Sequence, residues 1–449
     1  MFQIEKIKLS SAIHDQLLRS KGCVFLDSSY LDKDDARYSI YAIDPFIELN
    51  ASFSTCKCRY WNNDIKIEKG DPFSVASKLV NISNEVLFDW CEFNTGFVGV
   101  FSYESAGVFE DFSHCVYKED YPAMLGGIYD RFVVVNHNQN QAYFVSSILY
   151  EREHINFEKL LEQLVGFKKE HVQYDNEAMK VNCISFKDYK EMFNKAKDYI
   201  YQGDIYQINY SIKYSVKNTL DIMQLFYKIR QKSPAPYGAY LNCFGFQIVC
   251  NSPELFFKKQ KQNIYTKPIK GTIKRGETEK LDLKMKSKLL NSSKDQAELV
   301  MITDLERNDL NRLCKFDTVK VQKLRDIKAY KYLFHTLSVI KGVLKKNYNL
   351  YEIMKHLFPG GSITGAPKIR AMEIINQLEP QPRGPYTGSI GFVAANNDMV
   401  FNIAIRSLYT NNDNMYFHSG GALVADSDAQ KEYDECMLKA TAFLTELKN

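Results

Sequence analysis

Phe132-Val133-Val134-Val135 runs into Asn136-His137-Asn138-Gln139-Asn140, and Ala142-Tyr143-Phe144-Val145 follows. Two short β-branched and aromatic runs separated by a polar, turn-forming cluster predict a β-hairpin, and so an antiparallel sheet. Upstream, Cys23-Val24-Phe25-Leu26-Asp27 and Phe97-Val98-Gly99-Val100-Phe101-Ser102 are further short apolar runs. Residues 20–150 therefore read mainly as strands. Downstream, Phe157 to Val165 fits a helix with Phe157, Leu160, Leu161 and Leu164 on one face. Residues 171–180 are polar and aperiodic, and are expected to form a connector.

From residue 186 onward, helices and strands are interspersed. A helix is expected over 187–202, with Met192, Ala196 and Tyr199 as its apolar positions. Strand-like runs recur at 207–212, 246–250 and 390–394, alternating with helical patterns at 284–311 and 366–379 and a final amphipathic helix at 430–448. The expected fold class is α+β, with large antiparallel β-sheets in a two-layer, sandwich-like core flanked by helices. The expected division is an N-terminal region, 1–180, and a catalytic region, 181–449, interleaved in one globular unit.

The 449 residues are 45% hydrophobic and 25% charged, ordinary for a globular protein with a large core. A net charge of +4 without a basic-aromatic stripe argues against a nucleic-acid partner. No run approaches the ~20 apolar residues of a membrane span. The N-terminus lacks the apolar core of a signal peptide. The ten cysteines lack zinc spacing and read as buried or idle thiols of a reducing compartment. The expected location is cytoplasmic.

The chemistry concentrates downstream. Thr266-Lys267-Pro268-Ile269-Lys270-Gly271-Thr272 sets a lysine between a rigid proline and a flexible glycine. Held partly out of water, such an amine loses protons readily and becomes a nucleophile. Taken alone, it also fits a solvated surface lysine. Two helices carry acids at i,i+3, Asp295 with Glu298 and Glu432 with Glu435. Each pair shares one helix face, and two such faces could clamp a hard divalent cation. Favourable charge in a helix's first turn explains the same acids more simply.

Phe358-Pro359-Gly360-Gly361-Ser362-Ile363-Thr364-Gly365-Ala366-Pro367-Lys368 lacks the Lys-Ser/Thr that a nucleotide phosphate loop needs after its last glycine. It leads instead into a helix start that could meet an anion. Arg406, read as lying in a strand over 402–408, would need an anionic partner if buried. Ser419-Gly420-Gly421-Ala422 would let backbone N–H groups approach a second carboxylate, and Lys439 lies one turn after Glu435.

Together these segments resemble the chorismate-utilising enzymes. The resemblance runs through about 186–445 and is weaker over 20–110. It rests on Gly203-Asp204-Ile205-Tyr206-Gln207-Ile208-Asn209, Ser252-Pro253-Glu254, 268–272, Asp304-Leu305-Glu306-Arg307-Asn308-Asp309, 358–368 and Val424-Ala425-Asp426-Ser427. Within that family, lysine in Pro-Ile-Lys-Gly-Thr is similar to the branch that aminates chorismate and keeps its enolpyruvyl group. Members that make anthranilate and release pyruvate typically have alanine there. The resemblance implies Lys270 as nucleophile, Glu254 as general acid and His335 as an active-site histidine. Glu298 and Glu435 match Mg²⁺ ligands, with Asp295 and Glu432 in second positions. Gly271, Thr272, Thr364, Tyr386, Arg406, Gly420, Gly421, Ala422 and Lys439 match substrate contacts, with Ala422 replacing the usual glycine.

Ser28, Arg37, Tyr38, Pro236, Tyr237 and Gly238 resemble elements of the family's L-tryptophan pocket. No Cys-His-Glu glutaminase constellation is evident, so the implied nitrogen source is free ammonia or a separate glutamine amidotransferase subunit. A downstream aminodeoxychorismate lyase would complete p-aminobenzoate for folate synthesis. The alternative reaction is chorismate to anthranilate plus pyruvate. Isochorismate- or salicylate-forming chemistry and a non-catalytic tryptophan-sensing scaffold are less consistent with these residues.

Overall fold

The computed structural model describes residues 2–30, 37–83, 87–110, 121–150, 152–164, 181–218 and 220–447. Two large sheets form its frame, and every pairing between their named strands is antiparallel. The first has eleven strands and runs from Phe2–Ile7 at one edge, through Cys23–Asp27 and Tyr237–Cys243, to Gln207–Lys217 and Gly365–Ala366 at the other. The second has twelve and runs from Ile269–Lys274 through Leu255–Gln260, Ser389–Ala394 and Gly96–Phe101 to Ile65–Lys69. Strands from both sides of residue 180 enter both sheets.

The hairpin over 132–145 is present as Arg131–Asn136 and Gln141–Ser147, with Phe132 opposite Val145. Side-chain alternation sorts residues between two cores. Phe132 and Val134 join Val24, Ile40 and Leu241 of their own sheet, and Val98, Val100, Leu125, Ile390 and Phe392 of the other, in the layer between the sheets. Val133, Phe25 and Tyr41 point the opposite way into a core that includes helix residues Leu17, Leu160 and Phe226. The fold is thus an α+β sandwich with helices on its outer faces.

Three expected elements are corrected. The pattern over 284–311 forms two helices, Glu279–Leu290 and Ser293–Leu313. Asn291 caps the end of the first, and the Ser292 hydroxyl accepts from Asp295 N–H to start the second. The helix expected over 366–379 begins at Lys368, because Gly365–Ala366 pair as strand with Gln207 and Ile208 and leave Pro367 as the N-cap. Residues 402–408 are not one strand. Met399–Asn402 ends in the second sheet and Ser407–Asn411 starts in the first. Arg406 lies in the link, at φ +51°. The expected connector at 171–180 lies outside the described residues. Among the described cysteines Cys183 is exposed and the rest are buried.

Candidate active site

Two chain crossings between the sheets build the centre of the site. Phe246–Ser252 belongs to the first sheet and Leu255–Gln260 to the second, so Pro253-Glu254 is a crossing. The link over 403–406 crosses beside it in the other direction. The Ser252 hydroxyl donates to the Ile403 carbonyl at 2.6 Å, and Ile403 N–H donates to the Glu254 carbonyl at 3.1 Å. Glu254 and Arg406 are thereby held on neighbouring, mutually braced segments. The Glu254 side chain is buried and accepts from Ile269 N–H at 3.2 Å. Burial raises its pKa, against the opposing pull of Lys270 and Arg406.

Lys270 lies on the second sheet's edge strand Ile269–Lys274, where the register with Leu333–Val343 shifts between Lys270 and Thr272. Gly271 makes the bulge at φ +79°. A Cβ there would come within 2.8 Å of Thr336 Oγ1 and 3.1 Å of Asp295 Cβ. The half-buried Lys270 donates from Nζ to the Ser362 carbonyl at 2.9 Å. Burial lowers its pKa, while Glu298 and Glu254 pull the other way. Thr272 pairs with His335, and its hydroxyl lies 2.7 Å from His335 Nδ1. Burial, assisted by Arg406, takes His335 down to about 3, so the ring is neutral.

Asp295 and Glu298 sit on the first turns of Ser293–Leu313, and Glu432 and Glu435 on Ala429–Leu447. Gly421 lies beneath the second pair: its missing Cβ would stand 3.3 Å from Glu432 Oε2 and 4.0 Å from Glu435 Oε1. Lys294 Nζ lies 3.5 Å from Glu432 Oε1 and 4.0 Å from Glu298 Oε1, bridging the two helices. Glu435 pairs with Lys439 at 2.8 Å, and Lys439 also donates to the Gly420 carbonyl at 2.9 Å. Among the described residues, no three or more His, Cys, Asp or Glu side chains close into a metal cage. The donor chemistry nevertheless suits a hard cation: all four groups are carboxylates, and an ammonium already bridges Glu298 to Glu432. Burial also raises the Glu298 carboxyl, a cost that a nearby cation offsets.

Thr364 is buried in the loop that holds Ser362, and Tyr386 stacks on His418 with ring centroids 4.9 Å apart. Ala422 pairs with Asn209 next to Gly421 in register with Tyr210. Ser28, Tyr38, Pro236, Tyr237 and Gly238 line a separate cavity of about 60 Å³ with Asp27, Ile390 and Asn402, whereas Arg37 is exposed and outside its lining.

Two site residues escaped sequence reasoning. Lys294 was detectable as the i,i+4 partner of Glu298. Glu306 lies two helical turns beyond Glu298, and is buried with its carboxyl taken up to about 8, first by burial and then by Glu254 and Asp309. Its sequence signal was only its place in the 304–309 block.

A half-buried amine, a buried acid and two carboxylate-bearing helices thus meet where the two antiparallel sheets exchange strands. The chain belongs to the chorismate-binding enzyme family, whose profile matches residues 27–445. It is 31% identical to aminodeoxychorismate synthase component 1 of Bacillus subtilis, covering 98% of this chain and 93% of that one. It is 30% identical to anthranilate synthase component 1 of Acetivibrio thermocellus, covering 95% and 90%. The structure of anthranilate synthase component I from Streptococcus pneumoniae superposes with a TM-score of 0.80 at 28% identity, over 92% of this chain and 93% of that one. Among the described residues, no helix is long and apolar enough to cross a membrane.

Proposed function

We propose that this chain is the chorismate-aminating component of an aminodeoxychorismate synthase. It would convert chorismate and ammonia into 4-amino-4-deoxychorismate, with ammonia delivered by a separate glutaminase subunit. The observation that carries this reading is Lys270, an amine whose charge is disfavoured by burial and which is hydrogen-bonded in place beside the acid Glu254.

In the proposed sequence, the neutral Lys270 amine forms a bond to the ring carbon conjugated with the leaving hydroxyl. Glu254 donates a proton as that hydroxyl departs as water, and the two conjugated ring double bonds shift. Ammonia then bonds to the carbon that carried the hydroxyl and gives up a proton that restores the Glu254 acid, the two double bonds shift back, and Lys270 leaves as the neutral amine. Arg406 and the backbone around Gly420 and Gly421 hold the substrate carboxylates. Glu298 and Glu435, with Asp295 and Glu432 behind them, would hold Mg²⁺, which neutralises a substrate carboxylate when bound. Neutral His335 fixes the Thr272 hydroxyl without adding positive charge.

The second reading is anthranilate formation, supported by relatives of nearly the same identity, 30% and 28%. Incubation with chorismate, Mg²⁺ and ammonium, followed by mass spectrometry, separates the two. A product that retains the enolpyruvyl group supports amination alone. Anthranilate with released pyruvate supports the second reading.

A further inference from the structure

Among the described residues Arg383 is the largest of the fully buried side chains, 1% exposed, and lies behind the segments proposed to face the substrate. Its guanidinium makes a hydrogen bond with each of its five N–H groups. Nε and one terminal nitrogen fork onto Glu379 at 2.8 and 2.6 Å. That terminal nitrogen also donates to the Asn209 carbonyl at 2.7 Å. The other donates to the Ile363 carbonyl at 3.0 Å and to Thr387 Oγ1 at 3.3 Å.

Each partner adjoins a different part of the pocket. Ile363 precedes Thr364, and Thr387 follows Tyr386. Asn209 N–H donates to the Thr364 carbonyl at 2.7 Å. Glu379 Oε1 also accepts from Ser211 N–H at 2.8 Å and from its hydroxyl at 3.0 Å. Ser211 and the preceding Tyr210 stand opposite Gly420 and Gly421 in the sheet. Glu104 completes the anchorage by accepting from the N–H groups of Arg383 and Gly384 at 2.6 and 3.0 Å.

We infer that Arg383 is a positioning residue that sets the spacing of the Thr364, Tyr386 and Gly420–Gly421 segments, and through them the affinity for the substrate. This rests on the reading that those three segments contact chorismate. A lysine cannot reproduce the arrangement, because its three donors lack the planar fork. The guanidinium never enters the pocket, so its effect is on binding and alignment, not on proton transfer.

The test is Arg383→Lys in the full-length chain, with chorismate consumption measured in the presence of Mg²⁺ and ammonium. The expected result is a chorismate KM raised roughly tenfold or more, in the range that small misplacements produce. The ammonium KM and the pH profile stay unchanged. A variant with a lower melting temperature but the wild-type chorismate KM overturns the inference. Should Arg383→Lys not fold, Thr387→Val decides. It removes one of the five bonds and is expected to raise chorismate KM about threefold, whereas an unchanged KM overturns the inference. Because substrate loss is followed, the outcome does not depend on which aromatic or aminated product forms. A wild-type chain that leaves chorismate intact would defeat the functional reading itself.

Discussion

Lys270 Nζ donates to the Ser362 carbonyl at 2.9 Å, tying an edge strand of the second sheet to the glycine-rich loop before helix Lys368–Leu378. A carbonyl partner accepts from either the charged or the neutral amine, so the tether aims Lys270 without fixing its charge. Burial then favours the neutral form. Lys270→Ala is expected to reduce ammonia-dependent turnover by roughly 10³-fold or more. Acid-quenched wild-type protein should show a chorismate-derived adduct in intact-mass spectra, and the variant should not. Full activity in Lys270→Ala would sink the covalent mechanism.

Glu254→Gln tests the acid. The amide keeps an oxygen acceptor for Ile269 N–H and nearly the same volume. It removes the proton that the departing hydroxyl would need in the proposed sequence. The expected effect is a fall in kcat of roughly 10²–10⁴-fold with little change in chorismate KM. A large KM change with kcat preserved would assign Glu254 to binding.

The fold was legible where alternation was strong. The 132–145 hairpin and the helix over Phe157–Leu164 follow directly from their apolar periods. The site was legible as residue types but not as a place. Glu254 and Arg406 are 152 positions apart, and only the two sheet crossings reveal that they adjoin. The expected strand through Arg406 failed because the Ile403-Ala404-Ile405 run is apolar for burial at a crossing, not for sheet pairing. Arg383 carried no periodic signal, since its role depends on five bonds to four residues, Asn209, Ile363, Glu379 and Thr387.

His335 predicts a stability slope. Its folded pKa is about 3, against roughly 6.5 for an unperturbed imidazole. Between these values the unfolded chain binds a proton that the folded chain refuses, so stability falls as pH drops through this window. The contribution is fully present above the upper value and is roughly 1.4 kcal/mol per pH unit within the window. His335→Gln should flatten the slope between pH 6 and 4 in denaturant melts. Equal slopes for the two proteins would show that the ring titrates normally.

Gly271→Ala combines two penalties. The position sits at φ +79°, and the added methyl meets Thr336 Oγ1 at 2.8 Å. The backbone cost alone is about 1–2 kcal/mol. Since Lys270 is the adjacent residue, activity should fall further than stability does. Measurement of melting temperature and turnover together checks this, and a stable variant with wild-type activity would contradict it.

Lys294 makes a prediction about cation demand. Its ammonium lies between Glu432 and Glu298, where it partly neutralises the acids expected to hold Mg²⁺. Both cations answer the same negative charge, so they oppose each other. Lys294→Met should tighten Mg²⁺ binding, measured calorimetrically, by roughly two- to fivefold, a modest effect because the side chain is 54% exposed. The metal-free variant should also melt at a lower temperature than the metal-free wild type, because its carboxylates repel without a bridge. Glu298→Gln and Glu435→Gln should act in the opposite sense and weaken Mg²⁺ binding by roughly tenfold or more. Weaker Mg²⁺ binding in Lys294→Met would mean that the lysine supports the metal site and does not compete with it.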